Sequence, residues 1–161
     1  MKKILFFLTF AVFTLKIYSQ NITLDEVISL RNKDVTDVEE YLTNKSWTLL
    51  NAKEGYGTTM ASIGFAYNKS SYDDRAESFI KYYYSEETET KRISWQINRK
   101  DKYSILLGQL KSKGVTLLNT KVKDGSIIKY YQGKTLTFVV SIDTDTDYIE
   151  KTEGWIKEEK R

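Results

Sequence analysis

Leu42-Thr-Asn-Lys-Ser-Trp-Thr-Leu-Leu-Asn-Ala-Lys53 lines up without gaps against Leu110-Lys-Ser-Lys-Gly-Val-Thr-Leu-Leu-Asn-Thr-Lys121, and this pair decides how the chain is read. Seven of the 12 positions are identical at an offset of 68. A second match, Ser78-Phe-Ile-Lys-Tyr-Tyr83 against Ser126-Ile-Ile-Lys-Tyr-Tyr131, keeps five of six positions at an offset of 48. The shorter offset implies 20 additional residues in the first copy, between Asn51 and Ser78. Two copies are too few for a solenoid, so the expected product is one domain with internal pseudo-symmetry.

The flanks of the matched segments read as helices. Thr23-Leu-Asp-Glu26 is a capping box, with Ile22 and Val27 placed as a hydrophobic staple, so a helix should begin there. Val35, Val38 and Leu42 mark a second helix. Tyr103, Leu106, Leu107 and Leu110 give the full i, i+3, i+4, i+7 stripe of a third, with Asn98 as a candidate N-cap and Gly114 where a C-terminal cap belongs. Elsewhere the period changes to two. Ala61 to Tyr67, Ile80 to Tyr84, Ile93 to Ile97 and Leu136 to Ile142 alternate apolar and polar residues, as half-buried strands do. Short connections at Glu54-Gly55, Ser85-Glu86-Glu87, Asp124-Gly125 and Gln132-Gly133 make these strands antiparallel neighbours. The predicted fold class is α+β: a duplicated helix-plus-antiparallel-meander unit, with one extra strand in the first copy and the helices packed on one face of the sheet.

The first 20 residues read differently. Met1-Lys2-Lys3 precedes a run of 12 residues, Ile4 to Leu15, all apolar but for two threonines, and Tyr18-Ser19-Gln20 closes the segment. That order matches a secretory signal peptide and is too short to span a bilayer, so cleavage after Ser19 or Gln20 should leave no membrane span. The expected organisation is a signal peptide at 1–20, a single α+β domain at 21–145 made of units at about 23–98 and 99–142, and a charged C-terminal segment at 146–161. The expected localisation is exported, periplasmic or secreted.

Composition narrows the chemistry. The chain of 161 residues has no cysteine, histidine or proline, and its 25 Lys+Arg face 22 Asp+Glu. It therefore has no disulfide framework, no thiol nucleophile, no zinc–cysteine site and no imidazole base or ligand. Lys2, Lys3 and Lys16 account for the whole excess of base, so the mature chain is formally neutral and a nucleic-acid partner is not expected. Residues 99–134 concentrate nine bases against two acids, a block that could meet an anionic ligand. Asp143-Thr-Asp-Thr-Asp147 lacks the glycine and glutamate of a calcium loop and reads as a turn. The adjacent carboxylates Asp73-Asp74, Glu86-Glu87 and Glu158-Glu159 fall in loops or the tail, where nothing would raise a pKa for acid catalysis. No catalytic, metal or cofactor residue is assigned.

The remaining candidate is aromatic. Tyr82-Tyr83-Tyr84 is echoed by Tyr130-Tyr131. Strand parity puts Ile80, Tyr82 and Tyr84 under the helices and leaves Phe79, Lys81 and Tyr83 outward. The same count in the second match leaves Ile127, Lys129 and Tyr131 outward. Phe79, Lys81, Tyr83, Ile127, Lys129 and Tyr131 form the expected binding face. The tandem helix-plus-antiparallel-sheet order behind a leader resembles envelope modules of the β-lactamase-inhibitor-protein type, and is similar to small outer-membrane assembly-factor domains of that shape. The resemblance covers roughly residues 23–142 and carries no functional residue across. It implies binding of other proteins through the exposed sheet face. The expected function is thus a non-catalytic, exported binding module for an envelope or secreted protein. The alternatives are a carboxylate-dependent glycan hydrolase and a structural envelope protein without a dedicated ligand.

Overall fold

A computed structural model describes residues 22–85, 87–98, 100–143 and 152–157, with 100, 143 and 152–157 as backbone. The expected leader lies outside the described residues. Two helices, α1 (Leu24–Arg31) and α2 (Val35–Asn44), precede four strands, β1 (Trp47–Lys53), β2 (Ala61–Tyr67), β3 (Ser78–Tyr84) and β4 (Lys91–Ile97). A third helix, α3 (Lys100–Ser112), leads into β5 (Thr116–Lys123), β6 (Ser126–Gln132), β7 (Thr137–Asp143) and β8 (Thr152–Lys157). The class is α+β, and every strand pairing is antiparallel.

Local chemistry starts each of the first two helices where the sequence reading put it. The Thr23 hydroxyl accepts from the Glu26 amide, and the Glu26 carboxylate accepts from the Thr23 amide at 2.7 Å, closing the capping box. The Asp34 carboxylate caps α2 by accepting from the Asp37 amide at 2.9 Å. Asn98 caps nothing that is described; its side-chain amide donates to the Ala76 carbonyl at 2.8 Å and its oxygen accepts from Gln96 at 3.0 Å. Glu26 also joins α1 to the end of α2, accepting from the Tyr41 hydroxyl at 2.7 Å and from the Lys45 ammonium. Burial alone would raise the Glu26 pKa. The bonds from Lys45, Tyr41 and Thr23 outweigh it and bring the carboxyl down to about 2.

The strands run β1-β2-β3-β4-β8-β7-β6-β5 across the sheet. Two meanders, β1 to β4 and β5 to β7, are joined because β8 pairs with both β4 and β7. The second half therefore also has four strands, which removes the extra strand expected in the first copy. The fourth lies in the segment 146–161 that was expected outside the domain. Its sequence, Thr-Glu-Gly-Trp-Ile-Lys, breaks the alternation with glycine, which hid it from a periodicity reading.

Directly opposite residues share a face, so the ladders trace rows across the sheet. One row runs Leu49, Phe65, Ile80, Trp95, Gly154, Val140 and Lys129. Its neighbour on the same face runs Ile63, Tyr82, Ile93, Ile156, Phe138, Tyr131 and Leu117. The strand members of the hydrophobic core all come from this inner face, and they pack with Val27, Leu30, Val38, Leu42, Leu106 and Leu110 of the helices. The alternate residues form the outer face.

The matched segments 42–53 and 110–121 fall on the same elements. Each begins at the last buried leucine of a helix, Leu42 or Leu110, and ends inside an edge strand. At the exit of each helix one residue turns left-handed, Ser46 at φ 64° and Gly114 at φ 68°. Its amide bonds the carbonyl three residues back, Thr43 at 2.9 Å and Lys111 at 3.0 Å. A β-bulge follows in both strands, between Leu49 and Asn51 and between Leu117 and Asn119. The second match behaves otherwise. Ser78–Tyr83 lies in the third strand of its half and Ser126–Tyr131 in the second strand of its own, so these two stretches are not positional counterparts.

Candidate sheet-face binding site

Tyr83 stands on the outer face in the middle of the first meander. Its ring lies between two cations, the Arg92 guanidinium 4.3 Å from the centroid and the Lys81 ammonium at 5.1 Å. Arg92 faces Tyr83 directly across the β3–β4 ladder, and Lys81 sits two residues earlier on the same strand face. Cation–π attraction of this kind is worth about 0.5–1 kcal/mol per exposed contact. Phe79 continues the same strand face, and Ser62, Gly64 and Ala66 of β2 floor the space beside it. Ser62 and Ala66 are buried. A Cβ on Gly64 would stand 3.0 Å from the Asn51 side-chain oxygen. The result is a shallow floor flanked by an aromatic–cation ridge.

The second half carries a matching pair with different members. Tyr130 is on the outer face, 5.5 Å from the Lys121 ammonium. Tyr131, expected outward, is buried in the core opposite Phe138. Burial accordingly raises its hydroxyl pKa. Lys129 and Ile127 share its strand face, half-buried, opposite Val140 and Ile142. The expected face therefore keeps Phe79, Lys81 and Tyr83 and loses Ile127, Lys129 and Tyr131. A sequence signal for the correct parity did exist. The loop Gly133–Leu136 sets Gln132 opposite Thr137, and hence Tyr131 opposite Phe138, whose alternation is unambiguous. Arg92 and Lys121 were missed because only pairing across strands brings them to a tyrosine.

The charged side chains described on the outer face, Lys53, Lys81, Arg92, Lys121 and Lys123, are all basic. By register Asp143, Glu153 and Lys157 also fall in its rows. The basic block 99–134 is dispersed rather than gathered, with Lys102 buried, Lys113 paired with Asp25, and Lys121 and Lys129 on opposite faces. Among the described residues no cluster of carboxylates could hold a metal ion, and no helix is long and apolar enough to cross a membrane. Of the paired carboxylates, Glu86, Glu158 and Glu159 lie outside the described residues. Asp73 accepts from the Arg75 guanidinium and amide, which hold its carboxyl at about 2, too acidic to protonate a leaving group near neutral pH.

No protein-family model, curated protein or solved structure matches this chain.

Proposed function

We propose that the chain is an exported, non-catalytic binding module, made of a duplicated helix-and-sheet unit whose helices cover one face of the sheet. The other face receives an acidic surface of an envelope or secreted protein. The observation that carries this reading is the pair of tyrosine–cation clusters, Tyr83 with Lys81 and Arg92 and Tyr130 with Lys121, on rows that contribute nothing to the core. Tyrosine offers a large amphipathic contact with few rotors to freeze, and flanking cations steer an acidic partner toward it. The shared left-handed helix exits and edge-strand bulges support the duplication, since neither device is needed for a sheet as such.

The test is capture from an envelope extract with residues 21–161 as bait, compared with a Tyr83→Ala/Tyr130→Ala double variant and with Lys81→Glu. A partner whose recovery falls about tenfold in both, and with added salt, supports the reading. Val122→Ser, on the opposite face, should recover it undiminished. Equal recovery by all four proteins would exclude the outer face.

A further inference from the structure

We infer that one end of the sheet carries a second site, meeting the outer face only at Arg92, for a neutral oligosaccharide. Two clefts meet there. The larger, about 1010 Å³, opens between the α1–α2 connection and the β3–β4 hairpin. The smaller, about 310 Å³, lies against the Glu54–Thr59 turn. Tyr84 and Ser85 line both, so together they form one trough. The larger cleft alone reaches the upper end of the 300–1,000 Å³ range usual for ligand sites.

Its walls are fixed before any ligand arrives. Tyr82, fully buried, donates its hydroxyl to the Lys33 carbonyl at 2.7 Å, and the Lys91 ammonium donates to the same oxygen at 2.7 Å. Arg31 Nε donates to the Lys91 carbonyl at 3.3 Å, tying the end of α1 to β4. Tyr84 stacks on Tyr82 with centroids 5.9 Å apart and planes at 24°, and brings a half-exposed ring to the middle of the trough. Tyr56 offers a second ring in the smaller cleft, 92% exposed. The wall around Tyr82, Tyr84 and Lys91 spends little entropy on ordering itself.

The charges select the class of ligand. Arg31, Lys91 and Arg92 line the larger cleft together with Asp34 and Glu89, while Glu54 and Glu87 line the smaller. A polyanion would meet carboxylates along part of this path, and a polycation would meet the guanidinium and ammonium groups. A chain of neutral sugar rings meets neither penalty. Each hydroxyl is both donor and acceptor, so it can give to Asp34, Glu89 or Glu54 and take from Lys91, Thr88 or Thr90. The apolar ring faces would lie on Tyr84 and Tyr56.

The experiment is calorimetric titration of residues 21–161 with cellohexaose, maltohexaose and chitohexaose, with hexagalacturonate as the acidic comparison. At least one neutral hexamer should bind saturably and more tightly than the acidic one. Tyr56→Ala and Tyr84→Ala should each weaken that binding about tenfold. The Tyr56 ring is too exposed for its loss to unfold the chain, so that variant remains decisive if Tyr84→Ala is unstable. Tyr130 lines neither cleft, so Tyr130→Ala should bind the sugar as the parent does, which separates this site from the outer face. No saturable binding by any neutral hexamer, tighter binding of hexagalacturonate, or binding indifferent to Tyr56 would overturn the inference.

Discussion

The two halves of the molecule run through a similar order of elements and bury them to different degrees. Helix, left-handed exit, bulged edge strand and three further strands recur in the same order. Yet Ile63, Phe65, Ile80, Tyr82, Ile93, Trp95 and Ile97 are all buried in the first half. In the second, β5 is exposed along its whole length and Tyr131 is the one buried residue of β6. Leu117 is 53%, Leu118 62% and Val122 78% exposed. Two causes are visible. The first half has an additional helix, α1, which places Leu24, Val27 and Leu30 in the core. α1 also reaches across to α3 through Gln109, which accepts from the Leu24 amide at 3.2 Å, and through the Lys113–Asp25 pair. The second cause is the position after the helix exit, Trp47 in one half and Val115 in the other. Trp47 is buried and packs its ring 5.5 Å from Tyr67, whereas Val115 is only half-buried. Local signals set the plan, and side-chain volume at equivalent positions decides how well each half is sealed.

The largest test of this comparison is truncation at those two positions. Trp47→Ala should cost about 3–5 kcal/mol, as loss of a buried indole usually does. Val115→Ala should cost about 1 kcal/mol or less, since it removes two partly exposed methyl groups. Chemical denaturation of both variants reads the difference. Equal costs would mean that the second half is as tightly packed as the first.

A smaller effect isolates the Glu26 network of the first half. Glu26→Gln should destabilise by about 1–2 kcal/mol, weakening the capping box and the bonds to Tyr41 and Lys45. The pH profile gives the sharper reading. Glu26 has its folded pKa depressed from 4.5 to about 2, so its contribution is present above pH 4.5 and is lost as pH falls toward 2. Urea midpoints measured from pH 6 down to pH 2 should fall less steeply in Glu26→Gln than in the parent. Identical slopes would remove the network from the account.

The smallest effect compares the helix exits. Ser46 pays for a left-handed backbone that Gly114 adopts freely, so Ser46→Gly should stabilise by up to about 1 kcal/mol and Gly114→Ala should destabilise by about the same amount. Thermal melts of the two variants should shift in opposite directions. Two shifts of one sign would show that the exits are not equivalent.

Much of the fold was legible because its signals are local. The capping box at Thr23, the apolar ridge ending at Leu110 and the alternation of β2, β3, β4 and β7 need only neighbours in sequence. The edge strands β1 and β5 were visible only as a repeated string; their leucines are exposed and bulges break their alternation. β8 was illegible because a central strand of so little apolar content is specified by its two neighbours rather than by itself. The site divides in the same way. Tyr83 follows from the parity of its own strand, whereas Tyr130 depends on the register of β6 against β7, and a slip of one residue exchanges it for Tyr131. Arg92 and Lys121 come to the rings only through cross-strand pairing.

The central claim, that the outer face presents one tyrosine from each half, is tested most directly by nitration of the folded protein followed by peptide mapping. Tyr83 and Tyr130 should be modified, and Tyr82 and Tyr131 should be protected until the chain unfolds, in keeping with their burial and with a Tyr82 pKa raised to about 12 by burial first and by the charge of Asp34 second. Modification of Tyr131 with protection of Tyr130 would contradict the claim, because it would place the second half of the sheet in the opposite register.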